Sequence, residues 1–376
     1  MKFEDLHGRL VDCDSHLHPV PSQFPEILGT EFGRRYWDLE EERFGAGAME
    51  SWAERGRSVT LDAENVWTIK GWGTPAAFDL GQRLFALDLM GIDRQVLFPV
   101  ARLAALAVSR MDGAVEAAHA YNDYVLEWSR PSKGRLRPVA MLPMHDVEAA
   151  ISECERVLAA GALAVNIACS RPPAGLSPAD PAWDPLWSML AEANVPALIH
   201  LGGESGFIDR KFGDVEHLKP RTGLGGGEAI GVLELATFHM APQTYVSAMI
   251  LGGVFERHPA LRLGVIELAA QWVGPMAETL DQRAKLAGKR LAGVLSMEPS
   301  AYLARNVRVT PFHWEPIGVY IERYGLKDVY VFSTDFPHPE GGTTPIRDMY
   351  DSLERLGDEV VEKYFVSNAE SILPAT

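Results

Sequence analysis

Short β-rich runs alternate with longer helical patterns along nearly the whole chain, and this alternation constrains the fold more than any other feature of the sequence. The runs that read as strands are Leu10–Asp14, Gln95–Val100, Leu136–Met141, Ala162–Ile167, Val195–His200, Leu261–Glu267, Val307–Thr310 and Val329–Thr334. Helical patterns lie between most of them: Gly113–Trp128, Val147–Ala160, Pro185–Ala193, Gly231–Phe255 and Trp272–Ala287. Strand–helix repetition of this kind makes a parallel sheet wrapped by helices. Eight such strands in 376 residues fit one α/β domain, a (β/α)8 TIM barrel, with its chemistry at the C-terminal strand ends.

The interval 19–78 is too long for a simple crossover. It holds Trp37, Trp52, Trp67 and Trp72, and its aromatic content predicts a packed, lid-like insertion after strand 1 that covers the barrel mouth. The other reading is an irregular surface excursion. No repeat, linker or second domain interrupts residues 1–376.

Placed on this frame, the chemistry-bearing residues fall together. Asp14-Ser-His16-Leu-His18 ends strand 1, and side chains two apart in an extended chain point the same way. His16 and His18 can therefore reach one ion, with Asp14 as a partner that orients them. His200 ends the fifth strand and Asp335 follows the eighth. Three imidazoles and a carboxylate suit zinc, with manganese, iron or cobalt also compatible. A metal held this way lowers the pKa of bound water, and Asp335 is placed both to bind the ion and to accept the water's proton. The alternative is a polar turn that binds no metal.

The chain resembles the amidohydrolase superfamily, in particular the group that includes aminocarboxymuconate-semialdehyde decarboxylase. The resemblance runs over essentially the whole chain and rests on Asp14-Ser-His16-Leu-His18, Ile199-His200-Leu-Gly202, the Gly252–Leu261 segment and Ser333-Thr-Asp335-Phe-Pro-His338-Pro-Glu-Gly341. It implies one divalent metal bound by His16, His18, His200 and Asp335. It also implies a histidine acid/base after strand 6, where this chain has Glu267, followed by Trp272.

Glu267 can still move a proton, or it can be a structural carboxylate. His313, after strand 7, is a candidate replacement acid/base, or a loop histidine packed by Trp314. Arg102, after strand 2, can clamp a substrate carboxylate or lie on the surface. Asn166, ending strand 4, can orient substrate or cap its loop. His338, between two prolines, reads as a residue that holds its turn. Gly223–Gly227 reads as an active-site loop, since no Lys-Ser/Thr follows it as in a phosphate cradle.

These residues predict a metal-dependent hydrolase acting on a carbonyl of a small organic acid or amide. Non-oxidative decarboxylation of an aromatic or muconate-like acid is the second reading, and an inactive ligand-binding barrel the third. A net charge of -16 argues against nucleic-acid and anionic-membrane partners. Cys13, Cys154 and Cys169 are too few for a disulfide framework, and the N-terminus has no apolar leader. A cytoplasmic enzyme of small carboxylic acids, in homodimers by the commonest symmetry, is the resulting expectation.

Overall fold

The computed structural model describes residues 1–99, 113–202, 206–219 and 230–374. Arg102 and Gly223–Gly227 lie outside the described residues. The strands are β1 (Leu10–Asp12), β2 (His16–Leu17), β3 (Ile92–Pro99), β4 (Leu136–Pro138), β5 (Ala140–Met141), β6 (Val165–Asn166), β7 (Ala197–His200), β8 (Leu263–Ile266) and β9 (Val307–Val309). Every pairing is parallel: β1, β2 and β4 all pair with β3, and β5 to β9 pair in sequence order.

Two pairs of these strands are single staves interrupted by a local break. β1 and β2 share the stave that ends in the histidine pair. β4 and β5 are joined through Val139, whose N–H donates to Leu97 O at 3.0 Å. Val329–Thr334, expected as an eighth strand, is instead an extended segment held by single bridges. Val309 pairs with Tyr330 on one side, and Cys13 N–H donates to Phe332 O at 3.0 Å on the other. A Ser15–Phe336 bridge continues this contact, so the segment closes the ring between β9 and β1. The parallel strands thus close into a TIM barrel.

The strand periodicity explains how the barrel fills. Val11, Val96, Phe98, Leu198, Ile266 and Val331 form one buried cluster, while their neighbours Leu10, Ala197, Ile199 and Val265 pack into the cluster under the helices. Alternation by two gives each strand one face in each cluster. The chain end Ala369–Leu373 joins the inner cluster, and Arg94 Nε donates to Leu373 O at 2.8 Å.

The expected helix Gly231–Phe255 is three pieces: Val232–Thr237, Met240–Leu251 and Val254–Arg257. Gly253 at φ +73° supplies the left-handed residue that ends the second piece and starts the third. Segment 19–78 carries the helices Thr30–Phe44 and Ala48–Arg57, then 3-10 turns at Gly71–Gly73 and Pro75–Ala77. Its own core is Val20, Met49, Ala53 and Trp72, with Phe44 and Trp52 packed on it. Helix Leu80–Met90 then returns the chain to β3.

Candidate metal centre

His16 opens the two-residue β2, in the last part of the β1–β2 stave, and His200 ends β7; both are buried. His16 Nδ1 lies 2.9 Å from Pro99 O and His200 Nδ1 lies 3.0 Å from Leu201 O. With Nδ1–H donating to a main-chain carbonyl, each ring turns Nε2 inward, the usual arrangement of a metal-binding histidine. Burial first, then neighbouring His338, His200 and His18, hold the His16 pKa well below its ordinary value, so the ring is neutral.

Carboxylates converge on the same point. Asp14 Oδ1 is 3.2 Å from His200 Nε2 and 3.6 Å from His16 Nε2, and Asp335 Oδ1 is 3.4 Å from His16 Nε2. Glu267 Oε2 is 3.3 Å from His200 Nε2. His16 Nε2 and Asp335 Oδ2 are buried with no hydrogen-bond partner among the described residues. A neutral imidazole lone pair facing carboxylate oxygens repels them, and a cation between them removes the repulsion. Burial and the nearby carboxylates of Asp14 and Glu340 push the Asp335 pKa well above its usual range, against the pull of His200 and Lys70. Neutralising such a crowd is what a divalent ion does. The donors therefore fit one.

The donor geometry defines two overlapping groups, Asp14–His16–His200–Glu267 and His16–Asp335–His338, each with donor atoms within 4.8 Å of one another. His18 joins neither group. Its ring centroid is 6.4 Å from that of His16, and it packs against Trp72 at 4.8 Å and His338 at 5.0 Å. Both its ring nitrogens are buried without a hydrogen-bond partner among the described residues, and burial lowers its pKa well below the ordinary value. His338 does more than shape its turn. Its Nδ1 bonds Asp335 Oδ1 at 2.8 Å, fixing that carboxylate, and its ring lies 4.0 Å from that of His16. Asp–x–x–His across a proline turn was the sequence signal for this contact.

The backbone at these tips is bent to serve the site. Glu267 and Asp335 adopt φ values of +58° and +53°, which non-glycine residues rarely hold outside sites that need them. The Glu267 N–H donates to Thr310 Oγ1 at 2.8 Å. Buried Glu315 ties the two adjoining loops together, accepting from Ala270 N and Gln271 N on one side and Phe312 N on the other.

An opening of about 280 Å³, counted to its solvent mouth, leads from this centre. Asp14, Glu267, Asp335, Thr310, Phe312, His313 and Glu340 line it. His313 Nδ1 bonds Asp348 Oδ2 at 2.8 Å, which leaves Nε2 as the ring's other proton site. Asn166 is buried at the end of β6, with its side-chain nitrogen unpartnered among the described residues, and it is not a lining residue of this opening. From segment 19–78, Lys70 Nζ donates to Gly342 O at 2.6 Å and Gly71 N to Pro337 O at 2.8 Å. Burial lowers the Lys70 pKa to about 8, against the pull of Asp335 and Glu340.

The amidohydrolase family model matches residues 13–375, nearly the whole chain. The chain belongs to the amidohydrolase family. A comparison with the curated proteins finds no match. Among solved structures, this amidohydrolase is similar to an amidohydrolase from Mycobacterium avium subsp. paratuberculosis, with 22% identity and a TM-score of 0.72 over 97% of this chain and 99% of that one. It is also similar to 5-carboxyvanillate decarboxylase from Novosphingobium aromaticivorans, solved with manganese and 4-hydroxy-3-methoxy-5-nitrobenzoic acid (17% identity, TM-score 0.66, covering 98% and 96%). A dihydroxybenzoic acid decarboxylase from Polaromonas, with bound manganese and 2-nitroresorcinol, gives 18% identity and a TM-score of 0.63 over 97% and 96%. At these identities the likeness establishes the fold. No helix among the described residues is long and apolar enough to cross a membrane.

Proposed function

We propose that this amidohydrolase holds one divalent metal through Asp14, His16, His200 and Asp335, beside Glu267, and uses it to remove a carboxyl group from a small aromatic acid. The donor set is richer in oxygen than the three-imidazole set implied by the family resemblance. Carboxylate-rich sites suit manganese, while imidazoles keep zinc and iron compatible. His18 then stands beside the centre, packed against Trp72 and His338.

The observation that carries the reaction is that His313 and Asp335 line one opening. The carbon that loses its carboxylate needs a proton donor, and the position after β8 offers Glu267, which stands against His200 on the metal side. His313 supplies the group that Glu267 does not. A bound metal would polarise the substrate carboxylate and a neighbouring oxygen. As the C–C bond breaks, the carbon's electron pair takes a proton from Nε2 of His313 and carbon dioxide leaves. Asp348 orients the ring for this transfer. Segment 19–78, touching the Asp335–Gly342 loop through Lys70 and Gly71, covers the mouth and keeps water from the carbanion. Arg102 and Asn166 remain substrate-orienting candidates.

Hydrolysis is the second reading, favoured by the unpartnered Asp335 Oδ2, which is placed to take a proton from water. The deciding experiment incubates the manganese- or zinc-loaded protein with 5-carboxyvanillate and 2,6-dihydroxybenzoate and, separately, with their amides and esters. Carbon dioxide release from the acids supports decarboxylation; cleavage of the amides or esters alone supports hydrolysis.

A further inference from the structure

Arg83, on the helix Leu80–Met90, is fully buried although it bears a guanidinium, and no carboxylate pairs with it directly among the described residues. Desolvating such a charge is costly, and the cost persists only where its N–H groups are satisfied. Its Nε donates to Ala76 O at 2.6 Å, and its Nη1 donates to Ser15 Oγ at 3.3 Å and Gln95 Oε1 at 3.0 Å. Its Nη2 donates to the main-chain carbonyl of His16 itself. The guanidinium carbon sits 5.0 Å from the ring centroid of Phe336, the residue after Asp335.

The contacts continue in one direction. Gln95 Nε2 donates to Asp12 Oδ2 at 2.6 Å, and the same oxygen accepts from Thr334 Oγ1 at 2.6 Å. Asp12 Oδ1 accepts from Asp14 N at 3.1 Å and Thr334 N at 2.9 Å. The chain Arg83–Gln95–Asp12–Thr334 therefore touches the backbone of Asp14, of His16 and of the residue before Asp335. It also reaches Ala76 at the end of segment 19–78, whose neighbour Ala77 accepts from His18 N at 2.9 Å.

We infer that Arg83 is a positioning residue for the metal centre: through His16 O, Ser15 and the Gln95–Asp12–Thr334 bonds it sets the spacing of the two ligand-bearing turns. This rests on the metal reading above. A planar fork is needed because the acceptors lie on a helix-end loop, a stave and a strand at once, a geometry that a lysine ammonium does not span.

The test measures Mn2+ binding by titration and by the electron paramagnetic resonance spectrum of the bound ion, on wild type, Arg83→Lys, Arg83→Met and Gln95→Met. Trp187→Phe, a core change under the helix layer, serves as the control for general destabilisation. Groups that hold ligands in place typically carry about 10- to 100-fold in metal affinity. The expected result is a loss of that size in both Arg83 variants and in Gln95→Met, with an altered bound-ion spectrum. Trp187→Phe should keep the wild-type affinity and spectrum. Variants that fold and bind Mn2+ within threefold of wild type with an unchanged spectrum overturn the role of Arg83. Should both Arg83 variants fail to fold, Gln95→Met alone decides in the same way. A wild type that binds no Mn2+ overturns the metal reading and this inference with it, a result distinct from a defect confined to the variants.

Discussion

Glu267 Oε2 stands 3.3 Å from His200 Nε2, at the adjoining tips of β8 and β7. The position where the family resemblance implies a free acid/base is thereby drawn to the metal side of the cleft. A carboxylate in this place raises the negative charge around the centre and favours a cation there. Glu267→Gln keeps the volume and the N–H bond to Thr310 while removing that charge. We expect it to weaken Mn2+ binding by about tenfold, measured by competition with a chelator, with little change in metal-free thermal stability.

Asp14 and His18 lie on opposite sides of His16 in sequence and have different parts in the site. Asp14→Asn should lower metal content by more than the roughly 10- to 100-fold expected for an outer partner. His18→Asn should keep close to one metal per chain and lose turnover instead. Elemental analysis of protein purified without added metal, beside His200→Ala as the metal-free reference, separates the two. Metal loss in the His18 variant with retention in the Asp14 variant would restore the His-x-His ligand pair.

His313 and Asp348 should act together. A positioned acid contributes about 10²- to 10⁴-fold. His313→Gln should lower kcat within that range while metal content and KM stay near wild type, and Asp348→Asn should give a smaller loss in the same direction. Reaction in deuterated water should place deuterium on the carbon that loses its carboxylate, detectable by mass spectrometry of the product. Unchanged kcat in His313→Gln would remove it from the mechanism.

Away from the site, Asp184 accepts from Arg257 Nε and Nη2 at 2.9 to 3.1 Å and contacts His258 Nε2 at 3.0 Å. Partial burial raises its pKa, but the bonds from Arg257 and His258 outweigh this and leave it below the ordinary value. A carboxyl depressed in the folded state stabilises above its unfolded pKa of about 3.9, and that contribution is lost as the pH falls through the folded value. Asp184→Asn should therefore cost about 1 kcal/mol or less at pH 7 and low salt, and less at a pH below the folded value. Urea unfolding at the two pH values checks the sign.

The Gly252–Leu261 motif illustrates how a recognisable sequence can be structural. Arg257 holds Asp184, the first residue of the helix Asp184–Ala193, and also donates to Gly252 O and Ala179 O at 2.9 and 3.1 Å. Its role is to fasten the helix layer behind β8. His338 shows the converse, since a histidine between prolines looks like part of a turn until the fold brings its ring over His16.

The sequence by itself determined the barrel, because strand and helix periods are local and eight alternations close in few ways. It also placed His16, His200, Glu267 and Asp335 at strand tips, where a parallel barrel gathers its chemistry. Only the tertiary structure decided which donors meet. A two-residue spacing says that Asp14, His16 and His18 share a side, but the turn after β2 and the packing of Trp72 decide how far each reaches. The bonds from Arg83 to Ser15 and His16, and from Asp348 to His313, join residues 68, 67 and 35 positions apart. Such contacts depend on how helices seat against the barrel, which no local period encodes.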